Sequence, residues 1–356
     1  MKHITRILAL AMLATSLVAC EDEKVDNPTP QPEKQVNLLV LNEGGWGANN
    51  ASITAIDIEE GEVVATDWFS IKNSRGLGDV AQDMIAYGSK VYATVTFSNS
   101  LEVIDTATGA STRVDMGNRK PRSIAAADGK LYITCYNPCS VVRVDTATLS
   151  IEATCTLGTF QPEGIAIANG KAFAASSNIS DAQGNYTYDD KLYVIDLASF
   201  ADPTTITVGC NPQDVMVIGN GKLIVNYWGD YVALPAGTAI VDASTLDVTE
   251  TGQALTRMSV YNGIAYGYVS EYDENWNQTI SYKIVRADGT SADFPFGLSI
   301  SGNPYGITLN PANGDIYLFS DGNYTANGTV FCFSQSGDLR FMAEAGMLPK
   351  KAIVLR

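Results

Sequence analysis

Pro121-Arg-Ser-Ile-Ala-Ala-Ala-Asp-Gly129-Lys-Leu-Tyr-Ile-Thr134 has a second version further along the chain, Pro162-Glu-Gly-Ile-Ala-Ile-Ala-Asn-Gly170-Lys-Ala-Phe-Ala-Ala175. Further copies begin at Ala81, Pro212 and Pro304, and a degenerate one runs from Arg257 to Tyr268. Period-2 alternation over short runs marks strands. Asn-Gly or Asp-Gly between two such runs marks a tight hairpin, because its turn residues need positive φ. Apolar strands ending in Asp accompany the repeat, at Asp57, Asp105, Asp145, Asp196 and Asp242. Asp105-Thr-Ala-Thr-Gly109 and Asp145-Thr-Ala-Thr-Leu149 then open a second hairpin. Each repeat therefore holds four strands, A to D. Four-stranded units at roughly 40–50 residues are the blades of a β-propeller.

Copies with their own A strand start near residues 81, 121, 162, 212, 256 and 304. The strand Ser52 to Asp57 is preceded by Asn37 to Leu41 but has no A strand. The chain ends on Leu348-Pro349-Lys350-Lys351-Ala352-Ile353-Val354-Leu355, a lone A strand. The expectation is an all-β, seven-bladed propeller over residues 37–356, its last blade closed by the C-terminal strand pairing with N-terminal strands. No helical pattern of about 10–15 residues intervenes, which argues against α/β folds.

Two segments precede the repeats. Lys2, His3 and Arg6 form a basic head before the apolar stretch Ile7 to Val18, a pattern that fits a signal peptide over residues 1–19 and is too short to span a bilayer. Leu17-Val18-Ala19-Cys20 resembles the bacterial lipobox, which implies cleavage before Cys20 and acylation there; an ordinary signal peptide with an incidental Cys is the alternative. Each buried CH₂ contributes about 0.8 kcal/mol, so two or three chains anchor the protein firmly. Residues 20–36 then form an acidic, Pro-rich tether with too few apolar side chains to fold. Its acidic start resembles the export signal of surface lipoproteins in Bacteroidota, which implies an outer-membrane, outward-facing location; a plain solvated spacer is the alternative.

Composition excludes several chemistries. The formal charge is −16, and loss of Lys2 and Arg6 with the signal makes it more negative still, which opposes binding to nucleic acid or anionic membranes. Contact with a membrane is then through the lipid alone. His3 is the only histidine, so the mature chain can build neither a Ser-His-Asp set nor a His-ligated zinc site. There is no phosphate-cradling Gly loop and no GxSxG element, so no cofactor is called for. Acidic pairs at Asp189-Asp190 and Asp273-Glu274 could hold Ca²⁺, though solvated acidic loops are commoner, and no metal site is assigned. Of the cysteines after Cys20, Cys135 and Cys139 are spaced to close a short disulfide loop, and Cys155 with Cys210 is a second pairing.

In a propeller the B-to-C loops and D-to-A connections share one face. Here those loops hold Trp46, Phe97, Tyr136, Tyr186, Tyr188, Tyr227, Trp228, Tyr272, Trp276 and Tyr324 among many Asn and Gly. Rigid aromatics with adaptable amides suit a binding surface for a large, partly apolar ligand; single aromatics that pad strand edges are the bland alternative. The residue after each A-strand Pro is expected at the axial mouth of that face: Gln82, Arg122, Glu163, Gln213, Arg257, Tyr305 and Lys350. Arg122 and Arg257 are the candidates for an anionic ligand group.

Leu41-Asn-Glu-Gly-Gly-Trp46, Asn49-Asn-Ala-Ser52, Leu77-Gly-Asp-Val-Ala-Gln-Asp-Met84 and the Pro-x-Gly-Ile-Ala repeats resemble the YncE-like propeller lipoproteins of Bacteroidota, over essentially residues 37 to 355. Within that group the chain is similar to the BtuG proteins. That resemblance implies capture of a corrinoid, cobalamin, at the cell surface and its transfer to a TonB-dependent outer-membrane transporter. The repeat specifies the propeller and not the ligand, so a glycan or partner-protein binding module is a second reading. A propeller lactonase or quinone-dependent enzyme is a third, which the lack of His disfavours.

Overall fold

The structure, a computed structural model, describes residues 34–275, 277–294 and 297–355. The signal segment, Cys20, most of the acidic tether and Trp276 lie outside the described residues. Seven antiparallel sheets follow one another along the chain, each a blade. Blade 3 shows the plan: Pro121–Ala127, Lys130–Tyr136, Cys139–Asp145 and Ile151–Thr156 pair in sequence order from the axis outward. The A-to-B hairpins carry positive φ at both turn residues, as at Asp128 (49°) with Gly129 (73°) and Asn169 (48°) with Gly170 (70°), where only Gly, Asn and Asp sit cheaply. The recurring Asp at the end of strand C has its own task. Asp105, Asp145, Asp196 and Asp242 each accept two backbone amides just ahead through Oδ1, closing an Asx turn into strand D.

Blade 1 is the exception in connectivity. Its order is Pro349–Val354, Leu38–Asn42, Ser52–Asp57, Glu62–Ala65, so the innermost strand comes from the far end of the chain. Leu39 pairs with Ile353 and Val40 with Ala352, and Leu38 to Leu41 are fully buried. The closure read from the sequence is therefore the one observed. Between blades lie the cores. Among the described residues there are seven buried apolar clusters, each shared by neighbouring blades. Leu39 and Leu41 of blade 1 meet Met84 and Val91 of blade 2 in one, and Tyr317 and Phe319 of blade 7 meet Val40 in another. A blade hides its apolar faces only against neighbours, so the ring must close for all of them to be covered.

At the top of several A strands the ladder slips by one residue, between Ala81 and Asp83, Pro121 and Ile124, and Pro212 and Val215. Such bulges re-aim side chains. The freed amides are taken by buried polar groups of strand B: Asp83 by Thr94 Oγ1 (3.1 Å), Ser123 by Thr134 Oγ1 (2.9 Å), Asp214 by Asn226 Oδ1 (2.6 Å). The same three side chains donate onward to the next blade, at Arg122 O, Glu163 O and Thr256 O. The result is a polar staple across these interfaces that gives each of these three amides a partner.

A six-residue helix, Trp68–Asn73, sits between blades 1 and 2, capped by Asp67 and burying Trp68 and Phe69. Two expectations are corrected here. Cys135 and Cys139 form no disulfide. Cys135 faces Ser140 across the hairpin while Cys139 faces Tyr136, and successive residues of a strand point to opposite faces, so the two thiols are turned apart. Cys155 and Cys210 are also unpaired: Cys155 is buried in the core between blades 3 and 4.

Candidate functional site

The seven A strands enclose an axial cavity of about 500 Å³. Its mouth is lined by Gln82, Arg122, Glu163, Arg257, Tyr305 and Lys350, as the repeat predicts. Gln213 departs from the pattern. It is buried, its amide bound to Ser177 and Asn211, and Asp214 lines the cavity in its place. The cations do not wait for a ligand. Arg122 Nε donates to Glu163 Oε2 (2.7 Å), Arg257 Nη1 to Asp214 Oδ2 (3.5 Å), Lys350 Nζ to Glu43 Oε2 (3.0 Å) and Lys351 Nζ to Asp83 Oδ1 (2.5 Å). Four cations thus face four carboxylates, and Arg122 and Arg257 are not free anion receptors.

Glu43 is the hub of this girdle. It accepts from Lys350, from Gln82 Nε2 (2.6 Å) and from Tyr305 Oη (2.8 Å), joining blades 1, 2 and 7. Burial opposes its charge, but Lys350, Arg122 and the hydrogen bonds prevail and hold its carboxyl below the usual range. Burial pulls the Lys350 ammonium down, helped by Arg122 and Arg257 and opposed by Glu43. Tyr136, expected as a ligand contact, instead donates its hydroxyl to Glu163 and lies under the Arg122 guanidinium, 5.3 Å from the ring centre. Burial and Glu163 push its phenol far up, against Arg122. Trp228 is likewise engaged, Nε1 donating to Thr256 O (3.1 Å) and Arg257 lying over its ring at 4.7 Å. Tyr227 is 7% exposed and packs over Gly209 and Gly237, where a Cβ would collide with its ring.

Trp46, Phe97, Tyr186, Tyr188, Tyr272 and Tyr324, the other predicted aromatics among the described residues, lie on the loops and hairpin extensions of this face. Trp46 is 82% exposed and meets Phe97 at 6.1 Å between ring centres. The segment read as a loop after Asn178 is a hairpin extension, Asn178 pairing with Tyr188 and Ser180 with Tyr186. Tyr186 and Tyr188 are near-parallel at 6.3 Å, and Tyr231 closes edge-on to Tyr188 at 5.9 Å. Tyr272 stands exposed near the tip of another long hairpin, and Tyr324 lies edge-on to Tyr305 at 5.9 Å. Tyr231 and Tyr324 both hold positive φ, at 62° and 60°. Bulky residues pay about 1–3 kcal/mol for such backbone, and this strain gathers at ligand-contacting loops.

Sequence reading missed a second concavity of about 690 Å³ between blades 5 and 6. Tyr231, Val232, Leu234, Tyr272 and Glu271 line it. Asp230 Oδ1 accepts the amides of Val232, Ala233 and Leu234, which fixes an apolar loop tip in water. Such a tip carries no repeat signal. Glu43 and Asp214 were missed for a similar reason: neither follows an A-strand Pro. Three of the four acids in those pairs are engaged, Asp189 by Ser176 Oγ, Asp190 by Lys191 and Asp273 by Asn277, and among the described residues no cluster of three or more metal-ligating groups occurs.

No family model matches the chain, and no curated protein matches it. Solved structures do. A quinonprotein alcohol dehydrogenase-like protein from Bacteroides thetaiotaomicron superposes with a TM-score of 0.66 at 14% identity, covering 89% of this chain and 78% of that one. Hydrazine synthase of Kuenenia stuttgartiensis gives 0.55 at 19% identity, covering 69% and 74%. A set of WD40 repeats gives 0.55 at 8% identity, covering 76% and 82%. At these identities the likeness is one of fold: this is a seven-bladed β-propeller.

Proposed function

We propose that this protein is an exported, lipid-anchored propeller that captures a bulky, partly apolar ligand on its loop-rich face, the ligand being a corrinoid that passes to a TonB-dependent outer-membrane transporter. The observation that carries the reading is the exposed aromatic rim of Trp46, Phe97, Tyr186, Tyr231, Tyr272 and Tyr324, set by ordered loops on one face. Ordering those rings beforehand lowers the entropy cost of binding. A corrinoid offers a broad apolar ring edged by amides, which matches aromatics interspersed with Asn. The resemblance of Leu41 to Trp46 and Leu77 to Met84 to surface propeller lipoproteins supports the same class, and a lipid on Cys20 with a flexible tether would hold this face beside a transporter.

Titration of the purified protein with cyanocobalamin tests the ligand. Saturable binding at micromolar ligand or below is expected; no complex at those concentrations would remove the corrinoid from the proposal.

A further inference from the structure

The girdle leaves an anionic ligand group no partner at the axial mouth. The loop that joins blades 2 and 3 offers one. Its residues Arg119 and Lys120 have no carboxylate at ion-pair distance among the described residues. Arg119 Nη1 donates only to Met116 O (3.1 Å), and Lys120 Nζ lies over the Phe97 ring at 5.6 Å. Phe97 in turn meets Trp46. The nearby acids are engaged with backbone: Asp79 accepts the Gly47 amide and Asp115 the Gly117 amide.

The loop is also fixed. Lys120 O and Arg119 O accept the amides of Tyr136 and Asn137, and Lys120 N donates to Asn99 Oδ1 (3.0 Å). Lys120 sits at a repeat position with positive φ, immediately before the A strand. Its counterparts are Val80, Asn211 and Leu348, all buried. Backbone geometry alone is thus served by an apolar residue or an amide. A lysine there, on a strongly acidic protein and against an exposed ring, calls for another account.

We propose that Arg119 and Lys120, with Trp46 and Phe97, form an anion-accepting lip that receives a flat apolar ligand body bearing a phosphate, sulfonate or carboxylate. This deepens the capture reading and rests on its premise that the loop face binds a ligand. The rings take the apolar body, and the guanidinium and ammonium take the charge through charge-assisted hydrogen bonds.

Paired probes test it: 8-anilinonaphthalene-1-sulfonate, and N-phenyl-1-naphthylamine, which has the same rings without the anion. The wild-type protein is expected to prefer the sulfonate by about tenfold at low salt, with the preference shrinking as salt rises. The double variant Arg119→Ala/Lys120→Ala should lose that preference, and Arg119→Lys/Lys120→Arg should keep it. Equal wild-type affinities, or a preference that survives the alanine pair, would overturn the lip. Cyanocobalamin and cobinamide, which lacks the phosphate-bearing nucleotide, separate this from the corrinoid reading. A sulfonate preference without cyanocobalamin binding leaves the lip standing and the corrinoid reading fallen. Cyanocobalamin binding that the alanine pair leaves unchanged does the reverse.

Discussion

At the axial mouth each of four cations has a carboxylate, and the aromatics Tyr136 and Trp228 are hydrogen-bonded beneath arginines. A short way out on the same face, Trp46, Tyr186, Tyr272 and Tyr324 stand in water, and Arg119 and Lys120 lack acids. The two zones share one layer of loops and similar residue types. Their difference is connectivity. Mouth residues lie on the A strands or, like Glu43, Tyr136 and Trp228, at the ends of the strands beside them, where neighbours from adjacent blades converge and complete each other. Rim residues lie on loops and hairpin extensions, where a ring meets at most a neighbouring ring, as Trp46 meets Phe97 and Tyr188 meets Tyr231, and stays partly exposed. The mouth belongs to the stability of the ring, and the recognition proposed above falls to the rim.

The largest effect should follow from cutting the mouth at its source. Deleting residues 349–355 removes the A strand of blade 1 together with Lys350 and Lys351. Thermal unfolding followed by near-ultraviolet circular dichroism is expected to show no cooperative transition; a folded, ligand-competent truncation would separate mouth from ring stability. Next comes Glu43→Ala. It leaves Lys350 uncompensated beside Arg122 and Arg257, a loss of about 3 kcal/mol in denaturant unfolding. Adding Lys350→Met should restore most of it, because a neutral pair needs no partner.

A smaller, pH-dependent effect comes from Glu43 and from Glu102, which is fully buried in blade 2 between Arg75 and Arg113. Burial resists the charge on Glu102, yet hydrogen bonds from Arg75, Ser111 and Arg113 hold its carboxyl low, as at Glu43. Between the folded and unfolded values the unfolded chain binds more protons. Their stabilisation is therefore complete above the ordinary glutamate range and drains away as pH falls below it. Urea midpoints from pH 7 to pH 3 should fall more steeply for wild type than for Glu43→Gln/Glu102→Gln. Smallest in stability is Trp46→Ala, within about 0.5 kcal/mol of wild type. Ligand affinity should nonetheless drop by about tenfold in a binding titration, which would place its role at the rim alone.

The same contrast explains what the sequence could and could not disclose. Strand order, hairpin turns and closure were legible because each repeats: Asn-Gly needs its φ, strand C needs its Asp, and blade 1 lacks an A strand that the chain end supplies. The aromatic set was legible only as a set. Nothing in the spacing distinguishes Tyr227, folded over Gly209 and Gly237, from Tyr272 at a hairpin tip, since burial depends on which glycines lie opposite. Glu43 was hidden because it belongs to the split blade, and its partners are Lys350, Gln82 and Tyr305 from three different blades. The Cys135 and Cys139 pairing failed on a rule that is local: across a two-residue turn, residue 135 meets residue 140.

The closing strand also sets a schedule. Residues 349–355 leave the ribosome after every other strand of the ring. Until they arrive, the inner edge of Leu38–Asn42 has no partner and the apolar sides of blades 1 and 7 stay partly bare. Six blades can be assembled and still leave an unpaired strand edge, the kind of surface that recruits strands from other chains. In the lipoprotein proposed above, acylation at Cys20 would come early in this order and ring completion last. An exported chain stalled or clipped near its end would therefore be tethered, nearly whole and prone to associate with its neighbours.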